Sequence, residues 1–263
     1  MKPYIALAVP SRRKVRRDYM TGMAAMASQK CGLMPIGATS SLLNLTFNML
    51  WCFLHNFIAE GHPFTDVAIL HDDIEPDPLW IDTLYEEREA VGADMITAHS
   101  PIKTEQGIVS LATYQDDIWD FNRFTVRQLL KMPETFTQEE AGGNLLLNTG
   151  CCLLRLRGPW LERPEDFVFQ DWNRVARDHD GKLVPQVISE DWRFSDAIRI
   201  AGGKLAATRK VALAHEGTKD YRNDRPWGAW ERDASYLKRH ENDHENQIPE
   251  GLRISPEREV AVA

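Results

Sequence analysis

Up to Ala98 the chain alternates short apolar runs with longer helix-forming stretches, and few folds accommodate that order. Tyr4–Val9 is an apolar run stopped by Pro10, and Leu33–Ala38, Val67–Leu70 and Asp94–Ala98 repeat the pattern. Runs this short read as buried strands. Between them, Asp18–Cys31 carries helix formers with Gly32 as a C-terminal stop, Leu42–Ala59 follows Ser40 and Ser41, and Leu79–Val91 follows an acidic turn. Apolar positions recur so densely in Leu42–Ala59 that they predict a well-buried helix. The resulting β-α-β-α-β-α-β order predicts a mostly parallel sheet with helices on its faces.

The middle of the chain is less regular. Gly107–Tyr114 reads as a strand, Thr125–Met132 as a short helix and Pro133–Gly143 as a polar loop. In Asn144–Leu156, NLLLNTGCCLLRL, two apolar runs flank Asn148, Thr149 and Gly150. This reads as strand, turn and strand with Gly150 permitting close backbone approach, or equally as a simple sheet bend. Ser189 can cap a helix to about Ala201, with Glu190 and Asp191 in its first turn and Gly202 or Gly203 at its end. Trp192, Phe194 or Ser195, Ile198 and Ala201 would form its buried face. Val211–Ala214 is then a last strand, ending in His215, Glu216 and Gly217.

Composition narrows the function. With 263 residues, 43% hydrophobic, the chain is long and apolar enough to fold, and a net charge of −8 argues against a protein that coats nucleic acid. A local exception is Ser11–Arg17, SRRKVRR, which suits phosphates or an acidic acceptor but also a solvated loop. Cys31, Cys52, Cys151 and Cys152 show no CxxC spacing and are expected to be reduced, mostly in the core. Tyr4–Val9 is too short for a signal-peptide core, and Asn44, Asn48, His55 and Asn56 interrupt Leu42–Ile58, so no membrane span is expected. The expectation is a soluble cytoplasmic protein.

The strand at Val67–Leu70 runs straight into His71, Asp72, Asp73, Ile74, Glu75, Pro76, Asp77 and Pro78. In open α/β sheets, ligands bind beyond the carboxyl ends of the strands. Magnesium is commonly held by one or two carboxylates plus substrate phosphates, so acids placed here suit a metal-bound nucleotide. Asp77 and Pro78 read as the cap and first turn of the next helix. Asp72 and Asp73 differ, because adjacent acids gain nothing from mutual repulsion without a cation or partner between them. Taken singly, Asp191 also fits a helix dipole, and His215 fits an ordinary surface histidine.

Together, the strand ending in acids, the Asn-Thr-Gly turn, the Glu-Asp-Trp helix start, the Gly-Gly turn and the strand ending in His resemble the nucleotide-sugar glycosyltransferases of the GT-A fold. The resemblance spans about Tyr4 to Gly217. It implies an α/β, GT-A-like, Rossmann-type three-layer sandwich with a mostly parallel central sheet, residues 1–217 forming the catalytic domain. The family's DxD signature falls on His71, Asp72 and Asp73, making Asp73 the ligand of Mn²⁺ or Mg²⁺, with Asp72 or Glu75 sharing that work. His71 departs from the usual leading acid. His215 matches a late metal ligand, and Asp191 an acid below the acceptor that serves as base if the reaction inverts. Asn148, Thr149 and Gly150, with Trp192, match the segment lining the sugar and acceptor, while Pro10, Ser11, Arg13, His71 and Asp72 match the donor side.

The implied activity is metal-dependent transfer of a sugar from a nucleotide-diphosphate sugar to an acceptor hydroxyl, on a glycan or on hydroxymethylated phage-type DNA. Two other readings stay open. One is a nucleotidyltransferase or nucleotide-sugar phosphohydrolase, and the other is a non-catalytic carbohydrate- or partner-binding domain, for which His71 is the hint. Residues 218–263 form a C-terminal extension. In it Lys219, Arg222 and Arg225 suit diphosphate contacts of a lid and Trp227 and Trp230 suit a cover for the sugar, or the tryptophans pack as a tail. From Gln247 onward little structure is expected.

Overall fold

The computed structural model describes residues 2–11, 14–217 and 220–225. The first part runs β1 (Tyr4–Pro10), α1 (Lys14–Ala27), β2 (Gly32–Ala38), α2 (Leu43–Ala59), β3 (Asp66–Leu70), β4 (Ile74–Pro76), α3 (Trp80–Val91) and β5 (Met95–Ala98). Next come β6 (Ile108–Tyr114), β7 (Asn122–Thr125), α4 (Val126–Leu129), β8 (Thr135–Thr137), β9 (Asn144–Leu146) and β10 (Cys151–Arg155). The remainder comprises α5 (Pro159–Glu162), β11 (Trp172–Arg177), β12 (Leu183–Ile188), α6 (Glu190–Ile200), β13 (Leu205–Thr208), β14 (Leu213–Glu216) and β15 (Asp220–Arg222).

The central sheet has seven strands in the order β2-β1-β3-β10-β5-β13-β8. Five of them share one direction, while β10 and β8 run against their neighbours. The mostly parallel sheet expected from the alternating pattern is therefore present. Side-chain alternation along β1 shows how it is covered. Ile5, Leu7 and Val9 join Ala24 of α1 and Trp80, Ile81 and Leu84 of α3 in one core. Ala6 and Ala8 point the other way, to Phe47, Leu50 and Leu54 of α2 and Phe194 and Ile198 of α6. Strand residues of period two thus feed two cores, with helices on both faces. Small alanines on the second face leave room for a stack of rings, Phe169 lying 4.1 Å from Phe194 and 4.7 Å from Phe47.

Several elements differ from expectation for identifiable reasons. Helix α1 ends at Ala27, not Cys31, because the Ser28 hydroxyl and the backbone N–H groups of Gln29 and Lys30 turn onto the Asp82 carboxylate of α3. Gly32 consequently opens β2 and is not a helix stop. Only one stripe of α2 is buried, and Leu43, Leu45 and Phe53 lie on its exposed side. The polar loop after Met132 contains β8, which adds an edge to the central sheet. The two runs around Asn148 go to different sheets, β9 pairing with β6 and β10 entering the central sheet. At Ser189 no side-chain cap bond forms.

Cys31, Cys151 and Cys152 are buried, Cys52 is exposed, and all four are free thiols. No helix among the described residues is long and apolar enough to cross a membrane.

Away from the carboxyl edge, a charge pair is sealed in the core: Arg88 of α3 donates to Asp66 of β3, their side chains 1% and 2% exposed. The Thr65 hydroxyl also donates to Asp66, at 2.6 Å. Removing one partner strands the other charge in low dielectric, so Arg88→Met should cost about 3–5 kcal/mol in urea unfolding. The double variant Arg88→Met, Asp66→Asn should recover part of that loss.

Candidate active site

Strand β3 stops at Leu70, and His71, Asp72 and Asp73 emerge from its carboxyl end. Because β10 runs against β3, with Cys151 opposite Leu70, the residues before β10 arrive at the same edge. The His71 N–H donates to the Gly150 carbonyl at 2.9 Å and ties the two turns together. A Cβ on residue 150 would lie 2.5 Å from Cδ1 of the buried Ile74, so glycine permits this approach. Thr149 is buried and donates its hydroxyl to the Asp191 carboxylate at the start of α6. Asn148 donates to Ser100 Oγ, beyond β5, at 3.3 Å. Asn148 Oδ1 and His71 Nε2 are buried polar atoms that find no hydrogen-bond partner among the described residues.

Two of the residues that the resemblance matched to a donor side also meet. Ser11, just past β1, donates to Asp72 Oδ2 at 2.6 Å. Its own carbonyl accepts the Thr39 hydroxyl at the end of β2, at 3.0 Å. Pro10 closes β1 opposite Ala38.

Asp73 and His215, distant in sequence, are brought together by a separate ribbon in which β4 pairs with β14 and β14 with β15. His215 lies opposite Ile74, and the Glu216 N–H donates to the Asp73 carbonyl at 2.7 Å. His215 Nε2 then sits 3.4 Å from Asp73 Oδ2, while Nδ1 is 2.7 Å from the Pro101 carbonyl. A carbonyl can only accept, so Nδ1 carries a proton and donates. Metal-binding histidines are commonly fixed this way, with one ring nitrogen donating to a carbonyl and the other facing the ion. Lys103 Nζ also reaches Asp73 Oδ2, at 2.6 Å. Burial works to raise the Asp73 carboxyl, but hydrogen bonds from His215 and Lys103 and the charges of His215 and His71 outweigh it and hold the group well below the usual carboxylate range.

Among the described residues no group of three or more His, Cys, Asp or Glu side chains converges on one point to hold a metal. A carboxylate and an imidazole still suit Mn²⁺ or Mg²⁺ arriving with phosphate oxygens in its remaining positions. Asp73 and His215 fit that use. Glu75 sits on β4 opposite Ala214.

The start of α6 is the second acidic centre. Asp171, ahead of β11, accepts the Glu190 N–H at 3.0 Å and the Asn44 side chain at 2.9 Å. Asp171 thereby supplies the capping acceptor that Ser189 does not. The Glu190 carboxyl is buried beside Asp191 and hydrogen-bonded to Asp171; burial first, then the Asp191 charge and that bond, push it up to about 8. These influences favour the protonated, uncharged form of Glu190 beside Asp191.

Trp192 lies on the buried face of α6 expected from its helical phase and not in the sugar-facing position the resemblance assigned to it: it is 2% exposed, its indole N–H donates to the Ser110 carbonyl at 2.9 Å, and Arg123 stacks on its ring at 4.2 Å. It is core because the ring falls on the buried stripe of α6. Arg222, on β15, makes a two-pronged pair with Asp224 at 3.0 and 2.6 Å. Arg13, Lys219, Trp227 and Trp230 lie outside the described residues. Sequence reasoning missed Lys103, Glu190 and Asp171. For Lys103 a signal existed, a cation in the loop after a strand's carboxyl end.

A cleft of about 290 Å³ lies between α1 and the Ile74–Pro78 segment. Asp73, His215 and Asp191 do not line it.

No protein-family model matches the sequence, and no curated protein does. Among solved structures, A197 from STIV is similar at 14% identity and a TM-score of 0.48, over 85% of this chain and 92% of that one. Residues 1–349 of S. aureus TarS are similar at 8% identity and a TM-score of 0.40, over 79% of this chain and 58% of that one. Likenesses of this size do not bear on function.

The state of Glu190 has a measurable consequence. Between its ordinary value of 4.5 and about 8, the folded protein keeps a proton that the unfolded chain has lost, so this group's contribution falls as pH rises through that window. Glu190→Gln mimics the protonated form at all pH values. Its free energy of unfolding relative to the parent, measured in urea, should climb between about pH 5 and about pH 8, by an amount on the order of a few kcal/mol at most. A pH-independent difference would show that Glu190 is ionised in the fold.

Proposed function

We propose that the chain is a nucleotide-sugar glycosyltransferase that uses a divalent cation. The observation that carries this reading is that the turn ahead of β10 links two differently equipped carboxylates at one edge of a mostly parallel sheet. Asp73 is matched with an imidazole fixed by a backbone carbonyl, and Asp191 is matched with a buried threonine from the turn bonded to His71.

In this reading Asp73 and His215 hold Mn²⁺ or Mg²⁺, which when bound neutralises charge on the departing diphosphate. Ser11 and Asp72 flank the nucleoside portion of the donor, beyond the end of β1. Asp191 takes the proton of an acceptor hydroxyl as that oxygen attacks the anomeric carbon and the sugar–phosphate bond breaks. Thr149 fixes the Asp191 carboxylate, and the protonated Glu190 spares it a neighbouring charge. A base of this kind contributes roughly 10²- to 10⁴-fold to rate.

Calorimetric titration with a panel of UDP-, GDP-, CMP- and dTDP-sugars, with and without Mn²⁺, tests the reading. One donor should bind only with metal. That binding should vanish in Asp73→Ala, whereas Asp191→Asn should bind donor normally and lose about 10²-fold or more in transfer. Unchanged donor binding by Asp73→Ala would remove the reading.

A further inference from the structure

We propose that Lys103 is the resident counter-ion of this site: its ammonium holds Asp73 until a divalent cation displaces it, and then meets the donor's diphosphate. The inference rests on the function proposed above and assigns to it a residue outside the family pattern. Lys103 Nζ lies 2.6 Å from Asp73 Oδ2, the same oxygen that faces His215 Nε2 at 3.4 Å. An ammonium and a dication cannot both use that oxygen without strong repulsion.

The position of Lys103 is built into the fold. Pro101, two residues earlier, supplies the carbonyl that orients His215, so one loop fixes the imidazole and delivers the ammonium. The lysine stem runs over Gly217, where a Cβ would come within 3.2 Å of Lys103 Cδ and 3.1 Å of the buried Tyr221 ring. Glycine leaves a groove for the stem. The lysine side chain is 35% exposed and the carboxylate 32%, so the pair can open without burying a charge alone. A flexible four-carbon stem with a compact point charge suits such an exchange of partners.

The full chain and its Lys103→Met and Lys103→Arg variants would be titrated with Mn²⁺ alone, and then with inorganic pyrophosphate at saturating Mn²⁺. Loss of a part-exposed ion pair should tighten Mn²⁺ binding in Lys103→Met by about three- to tenfold. Pyrophosphate should bind that variant more weakly, by about threefold or more, for want of the released cation. Lys103→Arg should stay near the parent in both titrations. Opposite signs in the two titrations are the signature, since a merely structural lysine would move both the same way or neither. Unchanged or weakened Mn²⁺ binding in Lys103→Met overturns the proposal while leaving a metal site at Asp73 standing. No Mn²⁺ binding by any of the three, with pyrophosphate or without, overturns both.

Discussion

Hydrogen bonding of β10 between β3 and β5, against the direction of both, governs where everything else in the site can be. A parallel strand in that slot would have brought its beginning to the amino edge of the sheet, far from the acids after β3. Reversal places Asn148, Thr149 and Gly150 beside His71, and Thr149 in turn fixes α6 through Asp191. Thr97 of β5 secures the same turn from the other side, its hydroxyl meeting the carbonyls of Asn148 at 2.8 Å and Cys151 at 3.1 Å. Thr97 is fully buried, so these bonds form where water cannot compete for them.

Charge is distributed in two ways. Where it serves the fold it is sealed and paired, as in Arg88 with Asp66. Where it serves the proposed chemistry it is left part-open, as in Asp73 with Lys103 and His215. A sealed pair gains from low dielectric but cannot change partners. A part-open pair is weak and exchangeable.

Much of the sheet was legible because short apolar runs punctuated by helices leave few alternatives. Tyr4–Val9 and Val67–Leu70 lie within one residue of β1 and β3. The limits came from tertiary partners that local sequence does not show. Asp82 shortens α1 from a different helix, Asp171 caps α6 across an intervening hairpin, and β8 becomes a strand only because β13 offers it an edge. In the site, the acids after β3 and the histidine after the last apolar strand were readable as individual candidates. Their meeting was not, since it depends on β4 and β14 forming a ribbon outside the central sheet. For Trp192 two expectations competed: the resemblance gave it a ligand-facing role, and its helical phase put it on the buried face, where it lies.

The ribbon that joins Asp73 to His215 is held by main-chain pairing, with Leu213 opposite Pro76, Ala214 opposite Glu75 and His215 opposite Ile74. Side chains in such a ladder alternate faces, so the placing of His215 depends on residue count more than on residue identity. A single insertion or deletion between Thr208 and Leu213 would turn the imidazole to the opposite face and present an alanine or glutamate in its stead. The same change in the turn at Asp178–Lys182, at the tip of an exposed hairpin, would leave the ribbon's register untouched. Tolerance to length change should therefore differ sharply between two loops that look equally peripheral in sequence.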